Sequence, residues 1–432
     1  MKPVLTLQQA QRKSLFWRLH FWAALIASPF VLVATLTGIL YIFTPQIEAV
    51  LYRQLDQVTP AITTRSLDDS VAAAIAAAPA GAVLQSVLPA ADTGASTQVL
   101  FAPAMAGMPG HEGHGTTTVV YVDPATAQVL GSMASGERFG SWSKKLHSRL
   151  LQNDNWRWMI ELAASALTVM LVSGIYLWWP RGVRKGLPQA DARGRTRWQQ
   201  WHGFVGVALA AMSIVILSTG LTWSKYAGGQ IRSLRDLTGQ ASQPVPKHLQ
   251  STAGIAPLGW QAALDAARLH APAIALQLTP PRGASGTWNV TSVDRSQPLR
   301  RVDLILDAGT GALLYQAGWD QQTAFGKATA LGIPFHRGEF GWWNQALLLA
   351  FGLSVLFSLG SGWVMFFKRR RAGSFGLPRV LPGAWRAVPV GAWLGAAVLC
   401  IGLPLLAISA AVLLVLEAIL ALAKPVPALP IP

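Results

Sequence analysis

HFWAALIASPFVLVATLTGILYIF (20–43) is an apolar stretch that begins with a histidine, and HGFVGVALAAMSIVILSTGLTW (202–223) is a second one. Each is about as long as the roughly 20 residues that cross a bilayer as a helix. Gly38 follows His20 by eighteen residues, and Gly220 follows His202 by the same interval. This shared spacing predicts a duplicated membrane-spanning unit with a histidine at matching helix ends.

Two further apolar stretches, 156–179 and 343–367, extend the repeat. His147 precedes the first stretch and lies 27 residues before Gly174, the glycine of a Ser-Gly pair. His336 precedes the second and lies 26 residues before Gly362, the glycine of another Ser-Gly pair. A fifth stretch, 388–423, is long for one span and short for a helical hairpin. Its Gly-Leu-Pro at 402–404 favours a kink, so we expect one tilted or broken helix there.

The composition supports a membrane protein. Of the 432 residues 52% are hydrophobic and only 12% are charged, about half the charged share of a typical globular domain. The 18 Trp residues suit aromatic belts at both membrane surfaces. The single cysteine, Cys400, excludes disulfide frameworks, cysteine-ligated iron–sulfur clusters and covalent CxxCH haem attachment.

The net charge of +16 could suggest nucleic-acid binding, but its distribution argues for a membrane. Basic residues concentrate in three short segments, 1–20, 181–200 and 368–387, which contain one acid, Asp191. Such segments stay cytoplasmic and contact lipid headgroups, so no nucleic-acid partner is expected. The first apolar stretch is too long for a signal peptide and no A-x-A site follows, which favours an uncleaved anchor.

These observations predict a multi-pass protein of a bacterial inner membrane, with a cytoplasmic N-terminus and two large periplasmic loops. The fold class is a mainly α-helical polytopic membrane protein with a duplicated two-helix repeat, a fifth C-terminal helix, and two small α+β periplasmic domains. The predicted segments are 1–43 (N-terminus and first span), 44–153 (first periplasmic domain), 154–180 (second span), 181–200 (cytoplasmic loop), 201–223 (third span), 224–342 (second periplasmic domain), 343–367 (fourth span), 368–387 (basic cytoplasmic loop) and 388–432 (fifth span and tail).

The two long loops resemble each other. TTTVVYVDPATAQVLGSM (116–133) and RRVDLILDAGTGALLYQAGWD (300–320) each alternate in polarity, turn at an aspartate and resume a short strand. This pattern predicts a β-hairpin in each loop. Alanine-rich segments at 70–78 and 260–270 predict a helix before each hairpin.

Four of the eight histidines lie at the repeat-related helix ends. By the predicted topology, His20 and His202 lie at the cytoplasmic side, and His147 and His336 at the periplasmic side. Two coplanar neutral imidazoles that face each other can supply both axial ligands of a haem iron. The alternative is that these histidines bind headgroups or cap helix ends.

A Gly-rich segment in the first loop has its own candidate chemistry. Met105, Met108, His111 and His114 bring two thioethers and two imidazoles into ten residues, a set suited to copper. The alternative is a solvated insertion without a ligand.

Motifs along residues 12–372 resemble the PepSY-associated transmembrane family, and the outside segments resemble PepSY domains. The motifs are WRLH (17–20), TGIL (37–40), KLHSRLL (145–151), SGIYLWWPR (173–181), WHGFVG (201–206), FHRGEFG (335–341) and SGWVM (361–365). The family includes inner-membrane ferric-siderophore reductases with two b-type haems between the helices.

The resemblance implies two non-covalent haems b, each with two histidine ligands. Helix ends on one side of the bilayer share a depth, so we expect His20 to pair with His202 and His147 with His336. The resemblance also implies that electrons cross the membrane and reduce a periplasmic ferric-siderophore, which makes the chain an oxidoreductase. Basic side chains beside the histidines would pair with haem propionates or lie at the interface instead: Arg18, Arg149, Arg197 and Arg337.

The electron source must lie outside this chain, because no GxGxxG follows a strand and no segment is large enough for a flavin or nicotinamide domain. A quinol or a separate cytoplasmic donor would supply the electrons. Two other functions stay open at this point. One is a haem-free protein that binds or regulates envelope peptides and peptidases, and the other is a cupric reductase or metal-uptake helper.

Overall fold

The structure is a computed structural model that describes residues 6–103, 117–179, 187–242, 246, 249–370 and 376–422. Backbone contacts divide the chain into two compact units. The first, which we call the helical unit, comprises Met1–Ile39, Lys145–Thr238 and Ala346–Pro432. The second, the sheet unit, comprises Leu40–Lys144 and Gly239–Gln345.

The fold is mostly helical, as predicted. Its α-helices are α1 (Leu7–Ile42), α2 (Thr44–Leu51), α3 (Arg53–Asp56), α4 (Leu67–Ala76), α5 (Phe139–Arg149), α6 (Trp158–Trp178), α7 (Gly194–Ala208), α8 (Ala210–Leu221), α9 (Ala227–Leu237), α10 (Trp260–His270), α11 (Ala324–Arg337), α12 (Trp342–Arg369), α13 (Val390–Gly402) and α14 (Pro404–Leu422).

Among the described residues, three segments are long and apolar enough to cross a membrane: α1, the stretch Asp154–Trp178 that contains α6, and α12. The helices α7 and α8 together make a fourth when the pair is counted as one span, with a bend of 56° between them. The sequence predicts a third span from residue 201 to 223, whereas the helix begins earlier, at Gly194, and breaks at Leu209.

The eight strands form one antiparallel sheet in the order β4-β3-β2-β1-β5-β6-β7-β8. The strands are β1 (Val83–Leu88), β2 (Thr97–Ala102), β3 (Thr118–Val122), β4 (Val129–Ala134), β5 (Leu276–Thr279), β6 (Thr287–Ser292), β7 (Val302–Asp307) and β8 (Leu313–Gly318). Both predicted hairpins are confirmed: β3 pairs with β4, and β7 with β8, across the turns that follow Asp123 and Asp307.

The two loops do not form two separate α+β domains as we expected. Each contributes four strands to a single sheet, joined where β1 pairs with β5 through Val87 and Leu278, both fully buried. Pairing β1 with β5 leaves each half with one sheet edge instead of two, and it buries apolar side chains from both halves in one core. Neither half has a complete core alone.

The helices α4 and α10, both predicted from alanine-rich sequence, cap each other at their N-termini. The Asp68 carboxylate accepts hydrogen bonds from the backbone N–H groups of Trp260 (2.7 Å) and Gln261 (3.1 Å). In return, the Gln261 side-chain oxygen accepts from the backbone N–H of Leu67 (3.0 Å). A carboxylate at a helix N-terminus satisfies unpaired N–H groups and favours the helix dipole. This exchange links the two halves of the sheet unit.

The fifth apolar stretch forms two helices instead of one tilted or broken span. The helix α13 ends at Gly402 and α14 begins at Pro404, so the predicted break position is confirmed. Proline suits the first position of a helix because it lacks the N–H that would be unsatisfied there. At the break, Leu403 packs against Leu221, the last residue of α8, and Ala227, the first of α9.

Contacts at the other ends of these two helices show that the chain folds back. Before α13, the Ala387 carbonyl accepts a hydrogen bond from Arg12 (2.5 Å). In α14, Glu417 pairs with Arg18, one and a half turns further along the same end of α1. The helices α13 and α14 therefore form a helical hairpin whose tip lies at Leu403 and whose two arms return to the start of α1.

We predict that a reporter fused to the C-terminal end of the chain lies on the same side of the membrane as one inserted at Arg193. The reason is the hairpin, because a single fifth span would place the two on opposite sides. Activity of paired alkaline phosphatase and green fluorescent protein fusions measures this, with an insertion at Gly283 as the opposite-side control. A C-terminal reporter that behaves like the Gly283 insertion would show that the hairpin is not formed in the cell.

The sheet unit contains one strongly bound carboxylate. Asp307 is 2% exposed and accepts hydrogen bonds from the backbone N–H groups of Gly309 (3.0 Å), Thr310 (2.8 Å) and Thr252 (2.7 Å), and from the Thr252 hydroxyl (2.9 Å). The backbone hydrogen bonds from Thr310 and then Thr252 lower the pKa of this carboxyl well below its usual range. Ionised Asp307 therefore stabilises the fold above the unfolded pKa of about 3.9, and this contribution is lost as the pH falls below it.

We predict that Asp307→Asn lowers the unfolding temperature of the detergent-solubilised protein at pH 7, since the amide NH2 would face two donors of Thr252. Loss of such buried bonds costs about 1–3 kcal/mol. The variant should also lose part of the decrease in unfolding temperature that the wild type shows below about pH 4. Asp123→Asn, at the matching turn of the first half, is the control. Equal effects of the two substitutions at both pH values would contradict the assignment.

Candidate functional site

Three of the four repeat histidines have the same environment. The first, His20 on α1, meets a Ser-Gly pair on α6: its Nδ1 lies 2.9 Å from the Ser173 hydroxyl. A Cβ added to Gly174 would lie 3.4 Å from Cε1 of the His20 ring. The glycine therefore lets the imidazole lie against the backbone of α6.

His202 on α7 repeats this arrangement against α12. Its Nδ1 lies 2.9 Å from the Ser361 hydroxyl, and a Cβ added to Gly362 would lie 3.8 Å from its Cε1. The partners are far apart in sequence, by 153 residues for His20 and Ser173 and by 159 residues for His202 and Ser361. Each contact joins an odd-numbered span to the even-numbered span that follows it. The predicted duplication of the helices thus has a structural counterpart at these two histidines.

His147 lies on α5 and contacts α1. Its hydroxyl and glycine partners therefore belong to the preceding span, whereas those of His20 and His202 belong to the following one. Its Nδ1 is 3.0 Å from the Thr37 hydroxyl, and a Cβ on Gly38 would lie 3.3 Å from its Cε1. Burial lowers the pKa of His147 to about 4, so the ring is neutral near pH 7. The helix ends directly after Arg149, where Leu150 and Leu151 have φ values of 52° and 62°.

The hydroxyl groups determine which ring nitrogen carries the proton. Ser173 donates its hydrogen to the Val169 carbonyl (2.5 Å), and Thr37 donates to the Val33 carbonyl (2.7 Å). Each hydroxyl can then only accept from the imidazole, so Nδ1 is the protonated nitrogen. Ser361 is bound in the same way, since its hydroxyl donates to the Ser358 carbonyl (3.1 Å).

The consequence is that Nε2 keeps its lone pair in all three rings. A neutral imidazole whose Nδ1–H is held by a neighbouring oxygen is the form that binds metal ions through Nε2. The sequence signal for this arrangement is the hydroxyl residue directly before each of these glycines.

The structure brings His20 and His202 together, with ring centres 6.2 Å apart. Two imidazoles on opposite sides of one metal ion, each at a metal–nitrogen distance of about 2.0 Å, have ring centres roughly 6 Å apart. The rings are not coplanar as we expected, since their planes meet at 86°. Each ring is held by a serine on a different helix, His20 by Ser173 on α6 and His202 by Ser361 on α12.

Among the described residues, no group of three or more His, Cys, Asp or Glu side chains could hold a metal ion. A site with two imidazoles suits a metal that brings its other ligands with it, and haem iron needs only axial ligands from the protein. The donor set at His20 and His202 therefore fits a haem better than a bare ion.

His336 lies near the end of α11 in the sheet unit. The helix ends at Gly338 in a left-handed conformation (φ 76°), and the Arg337 guanidinium pairs with Glu339 (2.9 Å) and lies over the Tyr41 ring. Burial raises the pKa of the Glu339 carboxyl, although Arg337 and then Arg295 oppose the shift.

The four predicted propionate partners have different surroundings. All three nitrogens of the Arg18 guanidinium bind protein: Nε and one terminal nitrogen bind Glu417 (2.6 and 2.9 Å), and the other binds the Pro378 carbonyl (2.7 Å). Glu417 also accepts from the Trp22 indole (2.5 Å). Glu417, for which the sequence offered no role, thus occupies Arg18.

Arg149 pairs with Asp154, while Arg197 is exposed on α7. Within the described residues, Arg149 Nε and Arg337 Nε are buried and have no hydrogen-bond partner. A buried donor without an acceptor costs free energy, so both are candidates for an anionic group that the protein itself does not supply. The other predicted metal ligands, Met105, Met108, His111 and His114, lie outside the described residues.

Membrane-length helices and the neighbouring imidazoles of His20 and His202 define a membrane protein with a candidate haem site. A family model described as PepSY-associated TM region matches residues 17–369. The chain belongs to this family, as its motifs predicted. None of the curated proteins matches the chain in sequence.

Proposed function

We propose that this protein carries electrons across a bacterial inner membrane through two non-covalently bound haems b and reduces a ferric-siderophore on the outer side. The N-terminus would be cytoplasmic and the sheet unit periplasmic, since the basic residues lie in the short connections between spans. The resemblance to the family supports both the haems and the ferric-siderophore as acceptor.

The observation that carries this proposal is the pair of imidazoles at His20 and His202. Each Nδ1 lies 2.9 Å from a serine hydroxyl, the ring centres are 6.2 Å apart, and the two histidines come from matching positions of the sequence. Headgroup binding or helix capping does not require two such rings to face each other at this distance.

The second haem rests on the repeat and on His147. This histidine has the same hydroxyl and glycine contacts as His20 and His202. His336 is its counterpart in the second half of the sequence, and we propose it as the other axial ligand. The unpartnered Nε atoms of Arg149 and Arg337 support these residues as propionate partners.

The residues of the chain would hold and shield the cofactors. Ser173 and Ser361 fix the two ring orientations, because their hydroxyls hold Nδ1. Phe21, which follows His20 in sequence, and Phe366 on α12 have ring centres 5.8 Å apart and would add apolar surface near the site. Bound haem would accept and release single electrons. Each electron that reaches the outside would convert one ferric ion to ferrous iron, which oxygen-rich chelators hold less tightly.

A quinol or a separate cytoplasmic protein would supply the electrons, because the sequence has no dinucleotide-binding fingerprint. A haem-free protein that binds envelope peptides would have the same fold but no colour. A cupric reductase would depend on the Met/His segment, which lies outside the described residues.

We predict that the purified protein is red and has the absorption spectrum of low-spin, six-coordinate haem b, with about two haems per chain. His20→Ala and His202→Ala should each remove the same haem, because ligands at one depth of the membrane must pair. His147→Ala and His336→Ala should each remove the other. Haem content and redox titration of each variant measure this. Colourless wild-type protein would falsify the proposal, and a shared loss in His20→Ala and His147→Ala would refute the pairing.

A steric prediction tests the glycine contact. Gly174→Leu should remove the haem at His20 and His202, since even a Cβ there lies 3.4 Å from the His20 ring. Haem content should fall from about two to about one per chain while the protein still elutes as a folded monodisperse peak. Gly360→Leu is the control, because a Cβ at Gly360 meets no atom within 4 Å. Equal haem content in both variants would contradict the placement of His20.

A further inference from the structure

The cations nearest to the His20–His202 pair are not the ones that sequence adjacency suggested. In a helix, residues two apart point about 200° apart, so Arg18 lies on the opposite face of α1 from His20. Arg197, five residues before His202, is about 140° away from it on α7. Positions three, four or seven residues away share a face instead.

Two other arginines satisfy this rule. Arg195 lies seven residues before His202 on α7, and Arg369 lies seven residues after Gly362, the glycine that His202 contacts on α12. Seven residues advance about 10 Å along a helix and return to the same face. Each arginine is thus on the histidine side of its helix, two turns toward the basic connections.

Contacts fix Arg369 beside His20 as well. Its guanidinium carbon lies 4.8 Å from the centre of the Trp17 ring and 5.6 Å from that of Phe21. Trp17 and Phe21 are four residues apart and share one face of α1, and Trp17 is also one turn from His20. One terminal nitrogen also donates to the Gly376 carbonyl. Stacking on two aromatic rings holds the guanidinium in place while leaving other N–H groups available.

Arg369 has a second cation, Arg195, as an electrostatic neighbour. In the part of the chain that the structure describes, no carboxylate forms an ion pair with either of them. By contrast, Arg18 on the far side of α1 is paired with Glu417. Two like charges held together without a counter-ion favour the binding of an anion.

We propose that Arg195 and Arg369 bind the propionate carboxylates of the haem held by His20 and His202. This inference rests on the proposed function. A planar guanidinium donates two parallel hydrogen bonds to a carboxylate, and such charged bonds are stronger than neutral ones. Arg18 is excluded from this role because Glu417 and the Pro378 carbonyl already occupy its nitrogens.

The test is the double variant Arg195→Gln with Arg369→Gln, in the full-length protein purified with its haem. The matched control is Arg193→Gln with Lys368→Gln, which removes the same charge from two exposed residues on other helix faces. The first readout is the transfer of ferric haem to excess apomyoglobin. Loss of the two carboxylate contacts should make one of the two haems leave at least about tenfold faster.

The second readout is a redox titration, in which the midpoint potential of the same haem should become more negative, because the positive charge that favours the reduced state is lost. The other haem should be unaffected. If the double variant contains two haems and matches the control in both readouts, the assignment of Arg195 and Arg369 to the propionates is wrong. The proposed function would be unaffected by that result. Wild-type protein without haem would overturn the proposed function together with the assignment.

Lipid phosphate is the other anion that could occupy this site. If the arginines bind a headgroup instead, the double variant should lose bound phosphatidylglycerol in native mass spectrometry while haem transfer stays at the control rate. That result would also overturn the assignment to propionates.

Discussion

The hydrogen bond between a helix hydroxyl and an imidazole Nδ1 is the interaction on which the candidate sites depend. A ring placed between apolar helices has few polar partners, and an unpaired polar group there costs several kcal/mol. Ser173, Ser361 and Thr37 meet this requirement, and each donates its own hydrogen to a carbonyl one turn earlier. The adjacent glycine lets the ring approach the hydroxyl. Each Ser-Gly or Thr-Gly pair thus fixes the position, the orientation and the tautomer of the imidazole that it contacts.

Much of the fold could be predicted, because its signals are local. Spans and hairpins follow from hydrophobic runs and from Asp-centred turns, and α10 begins and ends at the residues predicted for it, Trp260 and His270. The single sheet could not be predicted in this way. The sheet depends on the pairing of β1 with β5, which lie in different loops and are far apart in sequence. The sequence of a strand does not identify the strand with which it pairs. The C-terminal hairpin was missed for a similar reason, since only the contact of Glu417 with Arg18 shows that α14 returns.

The candidate site also contains some residues that the sequence identified and others that it did not. His20 and His202 were found because the repeat gives them matching positions, and the structure brings these two together. The basic residues around them were chosen by nearness in sequence, which is a poor guide on a helix. Arg18 is two residues from His20 and faces away, whereas Arg369 is distant in sequence and stacks beside it. Helical periodicity was available from the sequence and would have favoured Arg195 over Arg197.

The pairing of Arg18 with Glu417 also relates the C-terminal hairpin to the family region. Glu417 lies beyond residue 369, where the family match ends, while Arg18 lies within it. In an apolar setting, a lone carboxylate on α14 and a lone guanidinium on α1 would each be costly, and the pair reduces that cost for both. The hairpin therefore cannot be regarded as an independent appendage. It neutralises one cation on the face of α1 that points away from His20.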